Sequence, residues 1–125
     1  MNIERRRFVR ALAQDMAFAA LKDSFKTIGR IKDISIGGLC FSCFKENSEK
    51  ISESHHTQVD IFLSKSDFHL RNVPCKIMYD IPNSSNDQGL FVKMSRCGLS
   101  FGGLTKNQFE QLNFFIKNYT KFSNL

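Results

Sequence analysis

The chain lacks several features that would assign it to common classes of protein. No apolar run approaches the roughly 20 residues that span a bilayer, and the first residues lack the apolar core of a signal peptide. No nucleophile elbow, Gly-Lys phosphate loop or HExxH zinc motif is present, and no segment is repetitive or of low complexity. The sequence therefore predicts a cytoplasmic protein without membrane insertion, and it gives no support for an enzyme.

Tryptophan is also absent, whereas phenylalanine occurs 13 times in 125 residues. A chain of this length usually forms one domain and can bury roughly two thirds of the surface that its unfolded form exposes. We therefore expect a core rich in phenylalanine. The formal net charge of +6 favours anionic partners, but it does not distinguish nucleic acid from phospholipid or from small phosphates.

Four cysteines are present, and in the cytosol we expect them to be reduced. Cys40 and Cys43 have CxxC spacing, but an offset of three places two side chains on opposite faces of a strand. The other two cysteines form no second CxxC. The pattern predicts small buried thiols and no metal site.

Short runs with apolar residues at alternate positions predict a mainly β protein. Strands are predicted at 16–21, 26–34, 39–43, 58–63, 73–79, 90–94 and 97–101. Exposed loops are predicted at Lys45–Thr57 and Ile81–Asp87, which are rich in polar and turn residues. Ile28 and Ile31 fall on opposite parities of the second strand, which indicates a twist or a β-bulge there.

One helix is predicted at the end of the chain. Thr105 and Gln108 have the spacing of a capping box. Apolar residues then recur at helical spacing: Phe109, Leu112, Phe115, Ile116 and Tyr119. Many short strands followed by one amphipathic helix favour a barrel or sandwich that the helix covers.

Two short motifs carry the functional signal. Four of the seven arginines fall in the first ten residues, within Arg5-Arg6-Arg7-Phe8-Val9-Arg10. The second motif is Asp33-Ile34-Ser35-Ile36-Gly37-Gly38. Guanidinium groups and an Asp/Ser/Gly turn suit a planar, anionic, hydrogen-bonding ligand such as a nucleotide. We therefore divide the chain into a flexible arginine-rich arm, residues 1–12, and a single folded domain, residues 13–125.

The motifs and their order resemble the PilZ domain family from about Glu4 to Tyr119. The RxxxR motif of that family fits Arg6 to Arg10, and its (D/N)xSxxG motif fits Asp33, Ser35 and Gly38. The resemblance implies a six-stranded antiparallel β-barrel of the split-barrel type with a C-terminal α-helix. It also implies that the chain is a receptor for cyclic di-GMP, a bacterial second messenger, with no cofactor.

The resemblance implies a site made of Arg5, Arg6, Arg10, Asp33, Ser35 and Gly38. Arginine forks pair bidentately with phosphates and donate to the guanine edge, and a carboxylate accepts from guanine N–H groups. Glycine permits a left-handed turn and lets a flat ring approach the backbone. In the family a basic residue at the position of Arg5 goes with binding of a stacked pair of cyclic di-GMP molecules.

Other interpretations remain open. Asp-x-Ser before glycine is common in ordinary turns, so Asp33 and Ser35 can be structural as well as functional. A PilZ-like adaptor of pilus or secretion machinery that binds no ligand is the main alternative. Nucleic acid is not a predicted partner, because the arginines are concentrated in the arm instead of spread over a sheet face. A chain of this length leaves no room for an output domain, so an unidentified protein partner is expected, in control of motility, adhesion or exopolysaccharide.

Overall fold

The structure is a computed structural model, and its described part contains nine elements of secondary structure. The structure describes residues 11–13, 16–22, 27–46, 56–82 and 92–122. The elements are β1 (Ala11–Ala13), β2 (Ala17–Leu21), β3 (Ile28–Ser35), β4 (Gly38–Glu46), β5 (His56–Leu63), β6 (His69–Pro82), β7 (Val92–Phe101), α1 (Lys106–Tyr119) and β8 (Thr120–Phe122). Arg5, Arg6 and Arg10 lie outside the described residues, so the flexible arm stays a prediction.

Six of the strands close into a barrel. Their order is β2–β5–β6–β7–β4–β3, and the ring closes because β3 also pairs with β2. All of these pairings are antiparallel. The fold is thus a six-stranded antiparallel β-barrel with a C-terminal helix, which confirms the predicted architecture.

The two short strands β1 and β8 extend the sheet outside the ring. β1 pairs with β3, and β8 pairs with β1. Ala11 and Leu12 had been assigned to the irregular arm, and that assignment is wrong because both pair with β3. A three-residue strand has no room for the alternation that reveals longer strands, so β1 could not be predicted from the apolar pattern.

A β-bulge interrupts the pairing of β3 with β4. Ile31 pairs with Phe41 and Asp33 pairs with Cys40, so Lys32 is the extra residue. The insertion reverses the parity of the strand, and Ile31 and Ile34 are therefore both buried although they are three residues apart. The predicted β-bulge is therefore present in this strand, but it follows Ile31, and the opposite parities of the exposed Ile28 and the buried Ile31 are ordinary alternation.

The predicted sixth and seventh strands are one continuous strand, β7. Its pairing with β4 shows no interruption from Val92 to Ser100. Met94 lies on the opposite face from the buried Cys97 and Leu99, and this change of apolar parity resembled a break in the sequence. The predicted loops were also too long, because β4 continues to Glu46 and β5 already begins at His56.

Helix α1 covers the barrel with one apolar face. Leu112, Phe115 and Ile116 are its buried residues, and the predicted capping box between Thr105 and Gln108 is present. The largest fully buried side chains of the core are Phe41, Phe115, Ile34, Leu39, Ile61, Leu70, Ile77 and Leu112. Within the described residues, no helix has the length and apolarity that a membrane crossing requires.

Candidate functional site

The second sequence motif forms a tight corner between β3 and β4, which we call the Asp33–Gly38 corner. Ser35 ends β3, Gly38 begins β4, and these two residues are paired in the ladder. Ile34 is fully buried in the core. Because side chains alternate along a strand, Asp33 and Ser35 share the face of β3 opposite to Ile34.

The Ser35 hydroxyl is engaged within this corner. The Gly37 N–H donates to Ser35 Oγ at 3.1 Å, and Ser35 Oγ donates to the Gly38 carbonyl at 3.4 Å. Ser35 is only 2% exposed. The turn-forming role that the sequence allowed for this serine is therefore present, and its hydroxyl fixes the shape of the corner.

Gly38 is required by the close approach of β7. A Cβ at this position would overlap the carbonyl oxygen of Leu99 and lie 3.2 Å from the Cα of Ser100. Gly38 does not use the left-handed conformation that glycine permits, because it already belongs to the extended ladder of β4. The missing side chain thus lets two strands meet.

Strand β1 brings the N-terminal segment to this corner. Ala11 pairs with Ile34, and Leu12 pairs with Asp33. Arg10 is bonded directly to Ala11, so one peptide bond separates it from a residue that pairs with the motif. The β1–β3 ladder therefore joins the residues that directly follow the first motif to the second motif, and the arginines themselves lie outside the described residues.

A polar row crosses the outer face from the Asp33–Gly38 corner. The paired positions are Asp33 on β3, Cys40 on β4, Gly98 on β7 and Tyr79 on β6. The Tyr79 ring occupies the space above Gly98, where a Cβ would collide with it. Tyr79 is joined to Cys40 by a side-chain hydrogen bond. This row provides an aromatic ring on the same face as Asp33.

Both groups of this hydrogen bond are uncharged at neutral pH. Burial raises the pKa of the Cys40 thiol above its ordinary value, and the nearby Asp33 charge adds to that effect. Burial, followed by the hydrogen bond with Cys40, raises the pKa of Tyr79 to about 12. A thiol that resists ionisation is a poor nucleophile and a poor metal ligand, so this position suits packing better than redox chemistry.

Three cations that the sequence motifs do not include lie on the same face of the sheet as Asp33. Arg30 on β3 pairs with Ser42, and Ser42 pairs with Arg96 on β7. Lys32, the bulge residue, is exposed, as are Arg30 and Arg96. We call Arg30, Lys32 and Arg96 the outer-face cations. They share one face because side chains alternate along β3 and β7. That alternation can be assigned only when the bulge in β3 and the continuity of β7 are known.

The CxxC pair does not form a site. Cys43 belongs to the core and its Sγ lies 3.8 Å from Ser95 Oγ, whereas Cys40 pairs with Asp33 on the outer face. The two thiols are on opposite faces of β4, as their spacing predicted. In the ranges that the structure describes, no group of three or more His, Cys, Asp or Glu side chains could hold a metal ion.

A family model for the PilZ domain matches residues 4–118 of the chain. The chain belongs to the PilZ domain family. This confirms the resemblance on which the predicted fold and site were based. A search of the curated proteins found no significant match.

Solved PilZ structures share the fold. The PilZ domain of YcgR from Escherichia coli, solved with c-di-GMP, has a TM-score of 0.68 and 16% sequence identity, and covers 92% of this chain and 91% of that chain. The MrkH–c-di-GMP complex from K. pneumonia has a TM-score of 0.67 and 14% identity, and covers 91% of this chain and 52% of that chain. This chain therefore spans about half the length of MrkH, and at these identities the likeness shows the fold.

The PilZ signature glycine provides a stability test. Gly38→Ala is expected to destabilise the barrel by about 3 kcal/mol, because the added methyl group meets the backbone of β7, which cannot rotate away. Chemical denaturation measures the loss. Gly103→Ala is the matched control, since a Cβ there meets nothing within 4 Å. Equal stability of the two variants would show that the close approach of β4 and β7 does not require glycine.

Proposed function

We propose that this PilZ domain is a receptor for cyclic di-GMP, which it binds between the N-terminal arginines and the Asp33–Gly38 corner. The observation that carries the proposal is the pairing of Ala11 with Ile34 and of Leu12 with Asp33. This ladder joins the two residues that follow the RxxxR motif to the (D/N)xSxxG motif, in a chain of the PilZ family. The YcgR domain and MrkH, which have the same fold, were both solved with c-di-GMP.

Each proposed site residue has a role that its chemistry supports. Arg6 and Arg10 pair with the phosphates and donate to the guanine O6 and N7 atoms. Asp33 accepts from guanine N–H groups or holds one of the arginines. Ser35 and Gly38 keep the corner in shape, the first through its two hydrogen bonds and the second through its contact with β7. The ligand thus meets a preformed corner on one side.

Arg5 extends the proposal to a second ligand molecule. A guanidinium at this position neutralises the phosphates of a stacked second cyclic di-GMP. The outer-face cations support this role, because Arg30, Lys32 and Arg96 supply further positive charge around Asp33. We therefore propose a ratio of two ligand molecules per chain.

Ligand binding orders the arm, in our proposal, and the ordered arm together with the liganded face forms a surface for a protein partner. The output controls motility, adhesion or exopolysaccharide production, and the chain acts as a cytoplasmic receptor instead of an enzyme. The cytoplasmic location follows from the nature of the ligand, since a second messenger acts inside the cell.

Isothermal titration calorimetry with cyclic di-GMP tests the proposal. We expect binding at micromolar ligand with two molecules per chain. Cyclic di-AMP is the control ligand: it keeps both phosphates but lacks the guanine groups that Asp33 and the arginines recognise, so it should bind far more weakly. A ratio of one would remove the stacked pair. No heat with cyclic di-GMP would favour an adaptor that binds no ligand.

A further inference from the structure

Strand β1, which begins directly after Arg10, is paired on both of its edges. On one edge, β1 pairs with β3 through Ala11 and Leu12. On the other edge it pairs with β8 along its whole length, through Ala11–Phe122, Leu12–Lys121 and Ala13–Thr120. β8 thus supplies three of the five residue pairings that β1 makes with its two neighbours. A three-residue strand with only two partners on one side would be marginal.

The position of β8 is set by the helix that precedes it. The helix ends at Tyr119 and β8 begins at Thr120, so no loop separates them. The Thr120 hydroxyl donates to the carbonyl of Ile116, which ties the first residue of β8 to the last turn of α1. The end of the helix therefore determines where the edge of β8 is presented to β1.

The helix is itself fixed to the barrel near both ends. At its N-terminus, the Gln108 side-chain amide donates to the carbonyls of Arg71 and Asn72 at 3.2 and 3.0 Å. Near its C-terminus, Phe115 is fully buried and its ring centroid lies 5.3 Å from that of Phe68. These contacts fix α1 to the barrel, and because β8 follows α1 directly, they also fix the strand with which β1 pairs.

We propose that β8 is a positioning element of the cyclic di-GMP site. By holding the second edge of β1, it fixes the point at which the arginine arm leaves the sheet, beside Asp33 and Ile34. This inference rests on the proposed cyclic di-GMP binding. It adds that the C-terminal segment, far from the signature motifs in sequence, controls the affinity of that site and connects ligand binding to α1.

Loss of β8 pairing should weaken ligand binding without removing any residue of the site. Successive residues of an edge strand direct their N–H groups alternately toward the neighbour and away from it. One of the two neighbours Lys121 and Phe122 must therefore direct its N–H toward β1, and replacing both by proline removes that N–H. We expect the dissociation constant of the full-length K121P/F122P variant to rise about tenfold, which corresponds to about 1.4 kcal/mol.

Asn124→Pro is the matched control, because it introduces proline just beyond β8 and should bind like the unmodified chain. Circular dichroism and thermal unfolding check that the barrel and α1 remain folded in both variants. If the unmodified chain itself binds no cyclic di-GMP, the proposed function fails. If it binds and K121P/F122P binds equally well, only the role of β8 is overturned.

Hydrogen exchange on the unmodified chain gives a second test that does not depend on a variant. Coupling between two sites is reciprocal, so cyclic di-GMP should stabilise the β1–β8 ladder as much as the ladder stabilises binding. We expect slower exchange of the amides in Ala11–Ala13 and Thr120–Phe122 when ligand is added. Unchanged exchange in Thr120–Phe122 with saturating ligand would overturn the inference, even if the proline variant failed to fold.

Discussion

Replacing Arg6 with alanine is expected to weaken cyclic di-GMP binding roughly 100-fold, because truncating one partner of a desolvated charge pair costs several kcal/mol. Arg6→Lys should recover only part of the affinity, since an ammonium keeps the charge but lacks the planar fork that pairs with a phosphate or with guanine. Calorimetry on both variants and on the unmodified chain measures the two differences. A lysine variant that binds as tightly as arginine would mean that charge alone is recognised.

The control for this experiment is Arg71→Ala, which removes the same charge at a distance from the corner. Arg71 is exposed on β6, and its backbone carbonyl, which the substitution keeps, accepts a hydrogen bond from the Gln108 side chain. Its replacement should change the dissociation constant by less than about twofold, the factor expected from the change in net charge at physiological salt. A comparable loss of affinity in both variants would mean that the overall positive charge of the chain drives binding, and it would contradict a specific role for Arg6.

Replacing Phe115 with alanine is expected to destabilise the chain by about 3–5 kcal/mol, the range for a large aromatic removed from a core. Phe115 is fully buried, and its ring contacts Phe68 and Tyr119 at centroid distances of 5.3 and 5.8 Å. The melting temperature should fall by roughly 10–20 °C for a domain of this size. Differential scanning calorimetry measures the change.

Phe114→Ala is the control for Phe115→Ala. The neighbouring Phe114 is 52% exposed and makes one edge-to-face contact with Tyr119, so its loss should cost about 1 kcal/mol or less. The two variants remove the same atoms at adjacent positions of one helix. An equal loss of stability in the two variants would contradict the packing of α1 against the barrel, and with it the fixed position of β8.

Local signals in the sequence were sufficient for most of the fold. Thr105 and Gln108 marked the beginning of α1 because a capping box needs only residue types at a fixed spacing. The β-bulge predicted in β3 is present at Lys32, but its signature is the burial of Ile31 and Ile34 three residues apart, because Ile28 is 47% exposed and simply alternates with Ile31. In both cases the information lies within a few residues.

Features that depend on pairing between distant segments could not be predicted. β1 and β8 are three residues each, and their pairing joins the two ends of the chain. Arg96 and Tyr79 lie on β7 and β6, and only the register of the barrel places them on the same face as Asp33, which lies on β3 with Arg30 and Lys32. Glycine at position 38 allows either a left-handed turn or close strand packing, and only the pairing of β4 with β7 shows that it serves close packing.

The central claim is that cyclic di-GMP binds where the arm meets the Asp33–Gly38 corner. The most direct measurement is an NMR titration of the isotope-labelled chain with cyclic di-GMP, in which amide shifts are followed residue by residue. The largest changes are expected in Asp33–Gly38 and in Ala11–Ala13, which pairs with it. Saturable binding with its largest changes on α1 or β5, and with the Asp33–Gly38 corner unaffected, would contradict the proposed site.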